Sequence, residues 1–251
     1  MLKNIFAIFL ISVSLLCGCT ANRDSSNDTG QEGVAFTYKT EYLTETSDNN
    51  LINVEIPVFE GENEKNINAL VYRFVVDRVN TMCDGACSIL PSDQAMIADA
   101  AEGSYNAYCI DLKYRITHNT AQHISIVFEG MSNYKSAAHP LNILFSLNID
   151  PIHAERILFS ETYPLDSTTY NLFAQYAEEE IREQADPQWL QDWEGFAETL
   201  CDQDTFLTGM TSEAEFFHYR TEDYVVFGYP VPHAMGDYMT VQIPISALTQ
   251  Q

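Results

Sequence analysis

From Tyr108 to Asp150 the apolar side chains fall on every second position three times in succession. No other feature of the chain constrains its fold as strongly. Tyr108, Ile110, Leu112, Tyr114 and Ile116 alternate with Cys109, Asp111, Lys113 and Arg115. After a turn at His118-Asn119-Thr120 come Ile124, Ile126 and Phe128, and later Leu141, Ile143, Phe145, Leu147 and Ile149 alternate with Asn142, Ser146, Asn148 and Asp150. A period of two places successive side chains on opposite faces of a strand. Three long neighbouring strands with one polar face predict an antiparallel sheet half covered by helices.

The flanking sequence fits that frame. Phe36-Tyr38-Thr40-Tyr42 and Ile52-Val54-Ile56 alternate and open the body as a strand pair, with Pro57 ending the second strand or placing it at an edge. The period then changes. Ile67, Leu70, Val71, Phe74, Val75, Val79 and Met82 stand three or four apart, one face of a helix. Glu62 and Glu64 sit near its start, where the helix dipole favours negative charge. Two further helices are expected at Ser167 to Ala185 and Trp189 to Leu200, the second entered through Asp186-Pro187. Strands return at Phe216 to Arg220, Tyr224 to Phe227 and Met239 to Ile245. The order β-β-α-β-β-β-α-α-β-β-β is that of an α+β fold with antiparallel sheets packed against helices.

The first segment stands outside this fold. Ile5 to Leu16 is an apolar run too short for the roughly 20 residues of a membrane-spanning helix and of the right size for the core of a secretory signal. It exits through Leu16-Cys17-Gly18-Cys19, the pattern of a bacterial lipoprotein cleavage site. Residues 1–18 are therefore expected to be a lipoprotein signal peptide, with Cys19 carrying acyl chains such as palmitate on its sulfur and its new amino group. Several chains anchor stably where one is marginal. Residues 19–34, rich in Ser, Asn, Asp and Gly, have little to bury and are expected to act as a disordered tether. Display on the extracytoplasmic face of a cell membrane follows.

Charge limits the partners. The chain carries 12 Lys and Arg against 36 Asp and Glu, a formal charge of −24, and Lys3 is the only charged residue in the segment expected to be removed. So acidic a body repels nucleic acid and anionic lipid. Acidity of this kind suits a basic protein ligand and also serves solubility alone. Cys83, Cys87, Cys109 and Cys201 remain after cleavage; an even count outside the cytoplasm reads as possible disulfides, with the pairing open. A zinc site is disfavoured, because Cys83 and Cys87 lack a second close Cys or His pair.

No motif supplies chemistry. The histidines His118, His123, His139, His153, His218 and His233 include no H-E-x-x-H pair, and there is no phosphate or dinucleotide loop. Gly130-Met131-Ser132-Asn133-Tyr134 lacks the second glycine of a nucleophile elbow. Asp202, Asp204 and Glu213 match positions 1, 3 and 12 of an EF-hand loop, yet Phe206 and Leu207 stand where a ligand and a turn glycine belong. Glu178-Glu179-Glu180 reads as a solvated helix face, and Trp189 with Trp193 as core rather than a sugar platform. No catalytic residue, metal or cofactor is expected. Candidate ligand-binding residues are His139, at the head of the third long strand, and Tyr229 and His233, in the aromatic and proline-rich stretch Phe227 to Tyr238.

Three segments carry a resemblance. "INVEIPVFEGENEKNINALVYRFV" resembles the strand and Asn-Ile-Asn helix entry of a small domain in PdaC-type peptidoglycan deacetylases. "NYKSAAHPLNILFSLNID" resembles the Ala-His-Pro turn and strand of the adjoining C-terminal domain of unknown function. "FFHYRTEDYVVFGYPVPHAMGDYMTVQIPISAL" resembles that domain's closing strands. The same two-part module forms the extracellular region of RsiV anti-sigma factors, which act as lysozyme receptors. The resemblance implies an N-terminal α+β part at residues 35–130 and an RsiV-type C-terminal domain at 131–251. A lipobox stands where RsiV has its sigma-binding segment and transmembrane helix, and the catalytic domain of PdaC has no counterpart here, so only the module carries over.

His139 precedes Pro140, which biases it to extended backbone and toward launching a strand. A structural or ligand-orienting histidine is thus expected rather than a catalytic one. The whole chain reads as a surface-anchored lipoprotein with a non-catalytic extracellular binding module. Its expected partners are lysozyme or another basic envelope protein, or peptidoglycan. The alternative is a cell-wall glycan-modifying enzyme that uses a His and a carboxylate.

Overall fold

The computed structural model of the chain describes residues 36–46, 50–83, 89–92, 108–134, 137–184, 202–213, 216–231, 233 and 236–249. Its first two strands are β1 (Thr37–Thr46) and β2 (Asn50–Glu60), paired antiparallel as expected. β2 does not stop at Pro57. Its other neighbour pairs with it only as far as Val54, so Pro57 stands where β2 is locally an edge and its missing N–H removes no ladder bond on that side.

α1 (Glu64–Met82) buries Ile67, Val71, Val75 and Val79, one residue per turn. Its entry explains the Asn-Ile-Asn motif. Asn68 bonds the backbone of Phe59 in both directions, accepting from N–H at 2.8 Å and donating to C=O at 2.9 Å. Asn63 caps the helix from left-handed geometry and donates its side chain to the carbonyls of Pro151 and Ile152. Two local side chains therefore fix both the angle and the place at which α1 crosses the sheet.

After the short β3 (Leu90–Ser92), which pairs with β1, the three alternating runs become β4 (Tyr108–Asn119), β5 (Ile124–Tyr134) and β6 (Leu141–Asp150). They are consecutive antiparallel neighbours, and β7 (Glu155–Arg156) closes a seven-stranded sheet of order β3-β1-β2-β4-β5-β6-β7. With a bulge between Ile116 and His118, β4 runs into the expected turn as far as Asn119. The α+β class with antiparallel pairing holds, with one exception among the described strands: β2 and β4 run parallel. A parallel pair needs a crossover, and α1 lies in the connection between these two strands. The expected boundary between residues 130 and 131 falls inside β5, which pairs without interruption on both sides of it.

The remaining strands, β8 (Phe217–Arg220), β9 (Tyr224–Pro230) and β10 (Tyr238–Pro244), form a separate antiparallel sheet of order β10-β9-β8. Around it lie α2 (Phe159–Thr162), α3 (Ser167–Gln184), α4 (Gln203–Ser212) and α5 (Ile245–Thr249). α3 matches its expected range, with Glu178 and Glu179 exposed. The helix expected at Trp189 to Leu200 lies outside the described residues.

Two cores result. One lies between α1 and the large sheet and contains Ile67, Val75, Ile110, Leu112, Phe128 and Leu147. The other is aromatic, with Phe173 and Phe206 stacked at 4.6 Å and Phe227 and Tyr229 beside them. Between the two sheets sits a smaller cluster of Val127, Phe217, Tyr219 and Val226. The order through the molecule is α1, large sheet, small sheet, then α3 and α4. Among the described residues no helix is long and apolar enough to cross a membrane.

Candidate functional site

The Ala-His-Pro turn and the connection between β9 and β10 meet. The rings of His139 and His233 stack with centroids 5.8 Å apart and an interplanar angle of 21°. His233 Nδ1 lies 2.7 Å from Asp237 Oδ1, and the other oxygen of Asp237 accepts the backbone N–H of Asn142 at 2.8 Å. Asn142 in turn donates its amide to the carbonyl of Gly236 at 3.3 Å. Gly236 and Asp237 both have positive φ, 106° and 74°. Glycine tolerates this geometry at little cost and aspartate better than most residues do. Burial alone would raise the Asp237 carboxyl; the Asn142 N–H and His233 outweigh it and hold the group below the usual carboxylate range.

This corner lies at the lip of a cleft of about 280 Å³ between β6 and the small sheet. Leu144, Phe145 and Phe217 give it apolar walls, and Asn142, Asp237 and Tyr238 a polar rim. Burial, then Glu129, Tyr219 and Asp237, pushes the Tyr238 hydroxyl up, so it stays a neutral donor at physiological pH. Arg78 of α1 reaches the cleft with its guanidinium 5.4 Å from the Phe74 ring centroid and 5.9 Å from that of Phe145. Apolar walls with a few placed polar groups are the usual make-up of a binding site. The His233–Asp237 pair adds an imidazole oriented by a carboxylate, able to accept a proton at Nε2 if a substrate hydroxyl were brought to it.

A second polar cluster lies deeper. Glu213, only 2% exposed, takes a left-handed backbone at the end of α4. Its carboxylate accepts the N–H of Phe159 at 2.8 Å and the Arg156 guanidinium at 2.7 Å. His218 Nδ1 stands 2.9 Å away, at ion-pair distance but without hydrogen-bond alignment. The Glu213 carbonyl accepts from Arg78 at 2.6 Å. Burial favours the protonated acid, yet His218, the Phe159 N–H and Arg156 prevail and the carboxyl is held low. On the other side Asn148 donates to His218 and accepts from Ser125 and from His123 Nε2. Burial, with Asn148 opposing, lowers His123 to about 4, so it is neutral at pH 7.

Of the residues singled out in the sequence, the structure brings His139 and His233 together, both solvent-accessible. Tyr229 is elsewhere. β9 runs on to Pro230 instead of ending at Phe227, and strand alternation turns Tyr229 into the aromatic core, 5.4 Å from Phe173. As a ligand contact it is corrected. Among the possible disulfide cysteines, Cys83 is disulfide-bonded, whereas Cys109 is a free thiol and not a disulfide partner. Cys109 points to the large-sheet face opposite its α1-covered core, and burial and Asp111 raise its pKa. Cys87, Cys201 and the lipidation site Cys19 lie outside the described residues. The failed EF-hand string has two other uses: Asp202 caps α4 by accepting the Thr205 N–H at 2.9 Å, and Glu213 joins the buried cluster. Among the described residues no group of three His, Cys, Asp or Glu is placed to hold a metal.

No family model matches the sequence, and no curated protein matches it significantly. Solved structures do match the fold. A DUF3298 family protein of Pseudomonas aeruginosa PAO1 superposes with a TM-score of 0.55 at 12% identity, over 88% of this chain and 95% of that one. A member of the same family from Bacteroides fragilis superposes with a TM-score of 0.52 at 13% identity and the same coverage. At these identities the likeness is one of fold: the chain is built on the architecture seen in DUF3298 family proteins.

Proposed function

We propose that this chain is a lipoprotein, anchored through Cys19 to the extracytoplasmic face of a cell membrane, whose folded body binds a basic envelope protein such as lysozyme in the cleft beside His139 and His233. One observation carries the reading: the chain is strongly acidic, and part of its few cationic groups is engaged at a buried carboxylate. The excess of 36 acidic over 12 basic residues is already large, and two of the basic ones, Arg78 and Arg156, turn inward to Glu213. A field of one sign steers an oppositely charged protein and weakens with salt. The sequence resemblance to RsiV and PdaC modules supports the same reading, and the DUF3298-type fold is compatible with it.

Calorimetric titration of the purified protein with lysozyme, at low and at moderate salt, tests this. Binding at low salt that weakens as salt rises is expected. Neither heat nor co-elution at either salt would contradict it.

A second reading has its own observation, the 2.7 Å contact of His233 with Asp237 beside a cleft. That is the pair a glycan-modifying enzyme would use as a base. Peptidoglycan fragments incubated with the protein and read by mass spectrometry decide it. A product that disappears with His233→Ala favours the enzyme; unchanged fragments favour binding.

A further inference from the structure

The two cores meet across a seam that is mostly polar. Glu213, His218, Asn148, Ser125 and Ser146 are all buried there, and their partners come from opposite sides. Arg78 on α1, Arg156 on β7 and Asn148 on β6 belong to the large-sheet side; Glu213 after α4, His218 on β8 and Phe159 on α2 belong to the small-sheet side. Each side alone would leave buried polar groups unpaired. Among the described residues, the apolar cluster spanning the seam is the small one around Val127 and Phe217.

We propose that Glu213 is a latch joining the two sheets, that its protonation releases the small-sheet side from the large one, and that the cleft loosens with it. Three facts support the geometry. The Glu213 carboxylate accepts from Arg156 and from the Phe159 N–H and has His218 Nδ1 at ion-pair distance, while its backbone carbonyl holds Arg78, so a neutral acid, with one oxygen turned donor, satisfies fewer of the groups at the carboxylate. Arg78 both holds the Glu213 carbonyl and lines the cleft, which couples the latch to the site. His123, in the β4–β5 turn, contacts the same seam through Asn148, and the titratable and charged groups facing it are His118 from β4 with Arg220 and His218 from β8. Protonating it adds a charge that burial and the Arg220 guanidinium oppose.

The sign is acid-labile at both ends. A carboxylate held low contributes stability above its ordinary pKa and loses it as pH falls; a histidine held low resists a proton the unfolded chain accepts. A partner bound in the cleft as proposed above would meet a loosened floor in acid. The latch itself needs no partner, so its test stands apart from that reading.

Amide hydrogen exchange on the full chain, corrected for intrinsic rate, provides the test. Between pH 7 and about pH 3.5, which lies below the sequence pI of 4.3, exchange in α2 and β8 should rise about ten-fold while α1 and β2 keep their protection. Glu213→Gln, which keeps shape and left-handed strain but removes the charge, should show the acid pattern at pH 7. Joint loss of protection in both regions, no change in either, or wild-type protection in Glu213→Gln would overturn the latch. If Glu213→Gln does not fold, the wild-type comparison decides alone.

Discussion

Tyr229 and His233 lie four residues apart and end up in opposite surroundings, one in an aromatic core and the other half exposed at the cleft. Replacing each should separate stability from binding. Tyr229→Ala removes a buried ring and is expected to cost about 3–5 kcal/mol in denaturant melts, as large-to-small aromatic changes do. His233→Ala should change stability by less than about 0.5 kcal/mol yet weaken partner binding. Titration adds a third expectation. Because His123 is neutral in the fold down to about 4, against 6.5 ordinarily, stability should decline as pH drops between these values, and Glu213 should extend the loss below its own ordinary value. Urea midpoints measured at stepped pH check this; His123→Gln should flatten the upper part of the slope. At this scale the sequence identified His139 and His233 singly, because each stands at a turn beside proline. That they touch was hidden, as was the Glu213 cluster, since its members lie as much as 135 residues apart and local pattern records no such distance.

The elements were legible where a period was sustained. The alternation of β4, β5 and β6 and the spacing of α1 and α3 set their type and nearly their ends, because each buries one continuous face. α4 was missed because its ten residues bury only Phe206 and Met210, too few to show a period, and its Asp202 cap was absorbed into a calcium-like string. The parallel joint of β2 and β4 was missed because pairing direction depends on the crossover and not on the strands. Gly130, weighed in the sequence as part of a nucleophile elbow, instead marks a close approach of strands: a Cβ there would lie 1.9 Å from the Asp111 carbonyl oxygen. Gly130→Ala is expected to destabilise by about 1–3 kcal/mol through the shift it forces between β4 and β5, measurable as a lowered midpoint at unchanged m-value.

At the scale of the molecule, a proposed anchor at Cys19 displays an acidic body that carries the cleft. If Cys19 carries the lipid, Cys19→Ala should move the protein from the membrane fraction to the soluble one while the body keeps its circular dichroism spectrum and any binding. Recognition is proposed to depend on the cleft, where the two sheets, the Ala-His-Pro turn and Arg78 come together. Adding lysozyme to isotope-labelled protein and following backbone amide shifts tests that most directly. Binding in the cleft predicts shifts concentrated at Asn142, Leu144, Asp237 and Tyr238 that fade as salt rises; shifts confined to the opposite end of the large sheet, or none at all, would contradict it.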